Sequence, residues 1–109
     1  GSLSRTVLVR ASAAEDLKGA QTWYETEQAG LGARFRTSVG RLLLYLAEYP
    51  ESAQVAHRGI RRANVPRFPY SLYYLVGAEA IEVIACVHMS RHPGAWRSKF
   101  KKPAPEDEP

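Results

Sequence analysis

The chain has 109 residues, 15 Lys+Arg against 11 Asp+Glu and a formal charge of +4, which suits one domain around one core and excludes a second independent one. Hydrophobic residues at 45% and charged residues at 24% are an ordinary globular balance; they exclude wholesale disorder, and apolar runs such as residues 42–46 are far short of the ~20 residues of a membrane span. Cys86 is the single cysteine, so no internal disulfide forms, and with no charged-then-apolar leader the expectation is a cytoplasmic protein away from membranes.

Gly1-Ser2 reads as a cleavage scar outside the fold. Thr6-Val7-Leu8-Val9 is a short β-rich run and predicts a first strand. Ser12-Ala13-Ala14-Glu15 has the form of a capping box, with Asp16 in the first turn behind it. The helix it opens carries Ala13, Leu17, Ala20 and Tyr24 as an inward stripe. Gly30-Leu31-Gly32 is expected to end it, because glycine accepts the left-handed C-terminal conformation. A second helix is predicted over 31–49, with Leu31, Phe35, Val39, Leu42, Leu46 and Tyr49 on one face and Pro50 as its stop. So short a link makes the two helices an antiparallel hairpin.

The period then changes. Residues 54–65, with Ile60 and Val65, are expected to hold one strand. Residues 69–76 alternate, with Tyr70, Leu72, Tyr74 and Val76 on one side and Ser71, Tyr73 and Leu75 on the other. After the Gly77-Ala78-Glu79 turn, residues 81–88 are apolar on both faces and predict a central strand. The result is an α+β domain of order β-α-α-β-β-β over residues 3–100, a helix hairpin on a small, mostly antiparallel twisted sheet. Residues 101–109, rich in proline and acids, predict a solvated tail.

The charge is unevenly divided. Residues 1–51 hold six bases and six acids, whereas residues 52–102 hold nine bases against Glu79 and Glu82, a charge of +7. Residues 103–109 contribute −3 through Glu106, Asp107 and Glu108. Arg58, Arg61, Arg62 and Arg67 lie within ten residues with no acid among them. Arginine presents a planar fork of donors that matches phosphate and carboxylate, so these residues are candidates for binding a polyanion or an acidic protein segment. On a strand, Arg61 and Arg62 would face opposite sides. Tyr73 is a candidate for stacking on a base or anchoring a peptide. His88, Arg91 and Trp96 follow the last predicted strand, where a histidine can move a proton and an arginine can stabilise phosphate charge. His57, His88, His92 and Cys86 supply neither the number nor the spacing of a zinc site, and no metal or cofactor is expected.

Taken together, Trp23-Tyr24-Glu25, Gly30-Leu31-Gly32 with Phe35, Pro50, Arg61-Arg62, Phe68-Pro69-Tyr70 with Leu72-Tyr73-Tyr74, and His88 with Arg91-His92-Pro93 and Trp96 resemble the RelE/ParE superfamily of type II toxins, plasmid-stabilising proteins among them. The resemblance runs from about Thr6 to Arg97. It implies a growth-inhibitory toxin that forms a hetero-oligomer with a cognate antitoxin, whose acidic or amphipathic segment folds along the toxin. It also implies one of two targets: DNA gyrase for ParE-like members, or messenger RNA in the ribosome for RelE-like members, which are metal-independent endoribonucleases. RNA-cleaving members carry a basic residue at the position of Ser71 and end in a catalytic Tyr or His-Tyr pair. Here Ser71 is not basic, His88 is followed by Met89, and there is no lysine between Lys18 and Lys99. The resemblance therefore favours the ParE-like branch. A ribonuclease using Arg62, His88 and Arg91 is the alternative, and a non-toxic binding module on the same fold is a second one. Arg58, Arg61, Arg62, Arg67, Tyr73, Arg91 and Trp96 are the expected target- or antitoxin-binding residues.

Overall fold

The structure, a computed structural model, describes residues 4–90. Its elements are β1 (Thr6–Val9), α1 (Ala11–Glu27), α2 (Leu31–Glu48), β2 (Val55–His57), β3 (Ile60–Asn64), β4 (Tyr70–Val76) and β5 (Ala80–His88). The strands form one sheet in the order β1-β5-β4-β3-β2, with β1 parallel to β5 and the other neighbours antiparallel. This is the expected α+β architecture with one strand more than the pattern suggested. Residues 54–65 form a hairpin, not a single strand, and β2 is too short to leave an alternation in the sequence. Among the described residues no helix is long and apolar enough to cross a membrane.

The hairpin α1–α2 covers one face of the sheet. Ala13, Ala20 and Tyr24 from α1 and Phe35, Val39 and Leu46 from α2 meet Leu72, Tyr74, Ile81, Val83 and Cys86 in the main core. The opposite face carries a smaller cluster of Ile60, Tyr73, Ile84, Ala85 and Val87. The alternation along β5 slips once. Tyr73 pairs with Ala85 and Tyr74 with Val83, leaving Ile84 as the extra residue of a bulge. Ile84 and Ala85 consequently share the outer face, and Cys86 returns to the core.

Several expected local signals are used differently. α1 begins at Ala11 with Arg10 as its N-cap and no side-chain cap. Ser12 therefore lies inside the first turn, its hydroxyl 3.5 Å from the Ile84 carbonyl. Asp16 lies beyond that turn and accepts the Cys86 N–H at 3.1 Å, tying α1 to β5. α1 ends at Glu27 with Gln28 in extended conformation as its C-cap, and Gly30, at φ +89°, is the N-cap of α2. Glu25 holds this corner, accepting the Gly30 N–H with one oxygen and the Gly32 N–H with the other, both at 2.9 Å. A negative charge there also suits the dipole of α2. Tyr49, expected inside, is exposed just past the end of α2 and stacks on Tyr45 with ring centroids 5.1 Å apart.

Candidate functional site

The four clustered arginines do not form one patch. Arg58 (φ 47°) and Gly59 (φ 83°) make the turn between β2 and β3, two consecutive left-handed residues as a tight hairpin demands. Arg61 and Arg62 do face opposite sides, through cross-strand pairing with Tyr74 and Tyr73 respectively. Arg61 is committed to structure: its guanidinium donates to the Ala53 carbonyl and, at 3.4 Å, to that of Glu51, closing the loop after α2. Beside it the Tyr74 hydroxyl donates to the buried Pro50 carbonyl at 2.7 Å. Burial pushes the Tyr74 hydroxyl's pKa above its ordinary value. Arg62 is exposed on the outer face of the sheet. Tyr73, its neighbour across the ladder, is buried at 6% exposure within the smaller cluster, so its ring is not a free stacking platform.

Arg67 belongs elsewhere. Val65-Pro66-Arg67-Phe68 is a β-turn closed by the Phe68 N–H on the Val65 carbonyl at 3.3 Å. Arg67 is its third residue, at φ 72°. Proline second and a positive φ third define a type II turn, whose third place normally goes to glycine or asparagine. This turn sets Arg67 beside α2, where it lines a groove of about 480 Å³ with Arg34, Arg41, Thr37 and Ser38 and with the apolar Leu31, Ala33 and Phe68. Arg34 and Arg41 were not among the expected site residues. The signal for them was their spacing of seven, two helical turns apart on one side of α2, with Thr37 and Ser38 between them.

His88 ends β5 on the helix-covered face, paired with Tyr70, and the two rings meet edge-on with centroids 5.0 Å apart. Tyr70 extends a nest of aromatic rings with Tyr24, Phe35 and Phe68. The Ser90 N–H lies 3.0 Å from His88 Nδ1 and the Ser90 hydroxyl 2.8 Å from it. An amide N–H can only donate, so Nδ1 is the acceptor and the neutral ring carries its proton on Nε2. Arg62 and His88 thus sit on opposite faces of the sheet. Ser71, at the position where RNA-cleaving relatives are expected to carry a base, is 3% exposed and donates its hydroxyl to Asn64 Oδ1 at 2.8 Å. Arg91 and Trp96, along with His92, lie outside the described residues.

A two-helix hairpin on a five-stranded mixed sheet is a fold shared with chains of solved toxin–antitoxin structures. The chain matches a structure described as the chromosomal ParDE toxin–antitoxin system from P. aeruginosa with a TM-score of 0.71, at 15% identity over 82% of this chain and 100% of that one. It matches a second, the RelBE2 toxin–antitoxin complex from Mycobacterium tuberculosis, with a TM-score of 0.59, at 19% identity over 84% of this chain and 98% of that one. At such identities the likeness is one of fold. The family is set by sequence: the model of the ParE toxin of the type II toxin–antitoxin system parDE matches residues 7–93, and the chain belongs to that family. No curated protein matches the chain in sequence.

Proposed function

We propose that this chain is the growth-inhibitory partner of a toxin–antitoxin pair, that it acts on DNA gyrase by protein–protein contact without cutting RNA, and that a cognate antitoxin holds it inactive. The observation that carries the target is the separation of Arg62 from His88 across the sheet, with His88 Nδ1 already engaged by Ser90. A general base in 2′-OH attack needs an unprotonated nitrogen facing the substrate. Freeing Nε2 would move the proton to Nδ1 and set it against the Ser90 N–H. The buried, bonded Ser71 hydroxyl supports the same reading. An interaction surface is available instead: Leu44, Tyr45 and Tyr49 at the end of α2 are each more than half exposed, as is Trp23 on α1. Aromatic residues are the anchors that protein interfaces favour.

The test is induction of the chain alone in bacterial cells, followed by parallel measurement of plasmid supercoiling, the DNA-damage response and messenger-RNA integrity. Supercoiling defects with intact RNA, unaffected by His88→Ala, are expected. Codon-phased RNA cuts abolished by His88→Ala would establish the nuclease in place of the gyrase inhibitor. Unimpaired growth would leave a binding module only.

A further inference from the structure

We infer that the groove between α2 and the β3–β4 turn is a docking site for an acidic amphipathic helix of a protein partner, with carboxylates two helical turns apart straddling an apolar side chain. The inference rests on the reading above, in which the antitoxin's acidic segment covers the toxin, and it assigns that segment a place and a register.

Charge comes first. Arg34, Arg41 and Arg67 line one groove, and no acid is among its lining residues. None of the three makes an ion pair or a side-chain hydrogen bond among the described residues, whereas Arg10 on the same domain pairs with Glu82 and Arg61 is spent on backbone carbonyls. Three positive charges lining one groove with no acid beside them favour an anionic occupant.

Backbone conformation is an independent indication. Arg67 occupies the one place in its turn that disfavours a residue with a Cβ, at φ 72°. Strain retained where asparagine or glycine would remove it points to a use for the side chain. Here the strained residue is the one that closes the groove from the sheet side.

The apolar part of the lining selects the class of partner. Leu31, Ala33 and Phe68 are apolar, and burying them rewards an apolar side chain, not a sugar–phosphate backbone. A nucleic acid would want an aromatic face to stack on. The Phe68 ring is already met edge-on by Tyr24 and Phe35, at 5.0 and 5.2 Å between centroids. Arg34 and Arg41 stand about 10.5 Å apart along α2. A partner helix lying along α2 presents carboxylates seven residues apart at the same interval, while Thr37 and Ser38 between the arginines offer hydroxyls to its polar edge.

The probe is a fluorescein-labelled helical peptide of about four turns, with two glutamates seven residues apart and leucines between them, titrated with the full chain. Arg34→Ala, Arg41→Ala and Arg67→Asn, the last chosen because asparagine keeps the turn, should each weaken binding about tenfold. Arg36→Ala, on the same helix but outside the groove, should leave it unchanged. Arg41→Glu should abolish binding, and a peptide with lysine in place of the facing glutamate should restore it. Equal loss with Arg36→Ala, equal binding of a peptide with glutamine for glutamate, or an RNA oligonucleotide that displaces the peptide in an Arg41-dependent way would each overturn the proposal. Toxicity still neutralised by the antitoxin in an Arg34→Ala/Arg41→Glu variant would refute the groove and leave the functional reading intact. Groove binding by a chain that harms no cell would refute the functional reading and leave the groove.

Discussion

Gly32 is where the helix hairpin tolerates no side chain. A Cβ there would lie 2.7 Å from the Gln21 carbonyl oxygen and 2.9 Å from Glu25 Oε1. The first contact is backbone, so relief requires the helices to part. Gly32→Ala should cost about 1–3 kcal/mol and lower Tm by several degrees in a thermal melt; an unchanged Tm would mean that the corner is looser than its geometry. Cys86 provides the second test at this scale. Burial, with the Asp16 carboxylate adding to it, pushes its thiol from an ordinary 9.0 up to about 12. Below pH 9 the thiol is neutral in folded and unfolded chains alike. Between pH 9 and 12 only the unfolded chain ionises, so stability falls as pH rises, by about 1.4 kcal/mol per pH unit at most from this group. Urea unfolding from pH 7 to 10.5 should show that decline, and Cys86→Val should flatten it. The native thiol should also resist a disulfide reagent at pH 8.

At the scale of elements, the two turns flanking β3 test whether conformational strain is kept for binding. Arg58 and Arg67 both hold positive φ without being glycine. Arg58→Asn and Arg67→Asn should each stabilise the chain by about 1 kcal/mol, read as a rise in the urea midpoint at constant slope. Only Arg67→Asn should also weaken peptide binding. If Arg67→Asn leaves stability unchanged, the turn stores no strain and the conformation of Arg67 is not held for binding. The same elements show what was legible in the sequence. The stripes of α1 and α2 could be read because their apolar residues recur at the helical period over 17 and 18 residues. β2 could not, having three residues, and the β5 bulge could not, because a run apolar on both faces hides a slip in register. The capping box misled because α1 starts at Ala11, straight after β1, with Arg10 as its N-cap, which leaves Ser12 inside the first turn. The arginine cluster was legible as chemistry but not as a site, since proximity in sequence placed its four members on two turns and two faces. The groove joins residues 26 positions apart, Arg41 and Arg67, and no local pattern brings them together.

For the whole molecule, the fold redistributes the charge that the sequence divides between its halves. α1 carries four acids against Lys18, and α2 carries three arginines against Glu48, so the neutral first half, residues 1–51, holds an acidic helix and a basic one. α2 therefore brings positive charge to the helix layer, and its groove joins Arg34 and Arg41 to Arg67. A positive field speeds encounter with an acidic partner and is screened by salt, with a Debye length of ~10 Å at 0.1 M. Residues 103–109 carry three acids that oppose it. Removing them should raise the stopped-flow association rate of the acidic peptide at low salt, with the gain vanishing near 1 M, where screening acts within ~3 Å. The dissociation rate should stay the same, because these residues act on the field and not on the groove's contacts. A low-salt association rate that ignores the truncation would show that three of the chain's eleven acids have no effect on its positive field. Faster dissociation on truncation would instead place residues 103–109 in the bound complex, as a contact and not a screen.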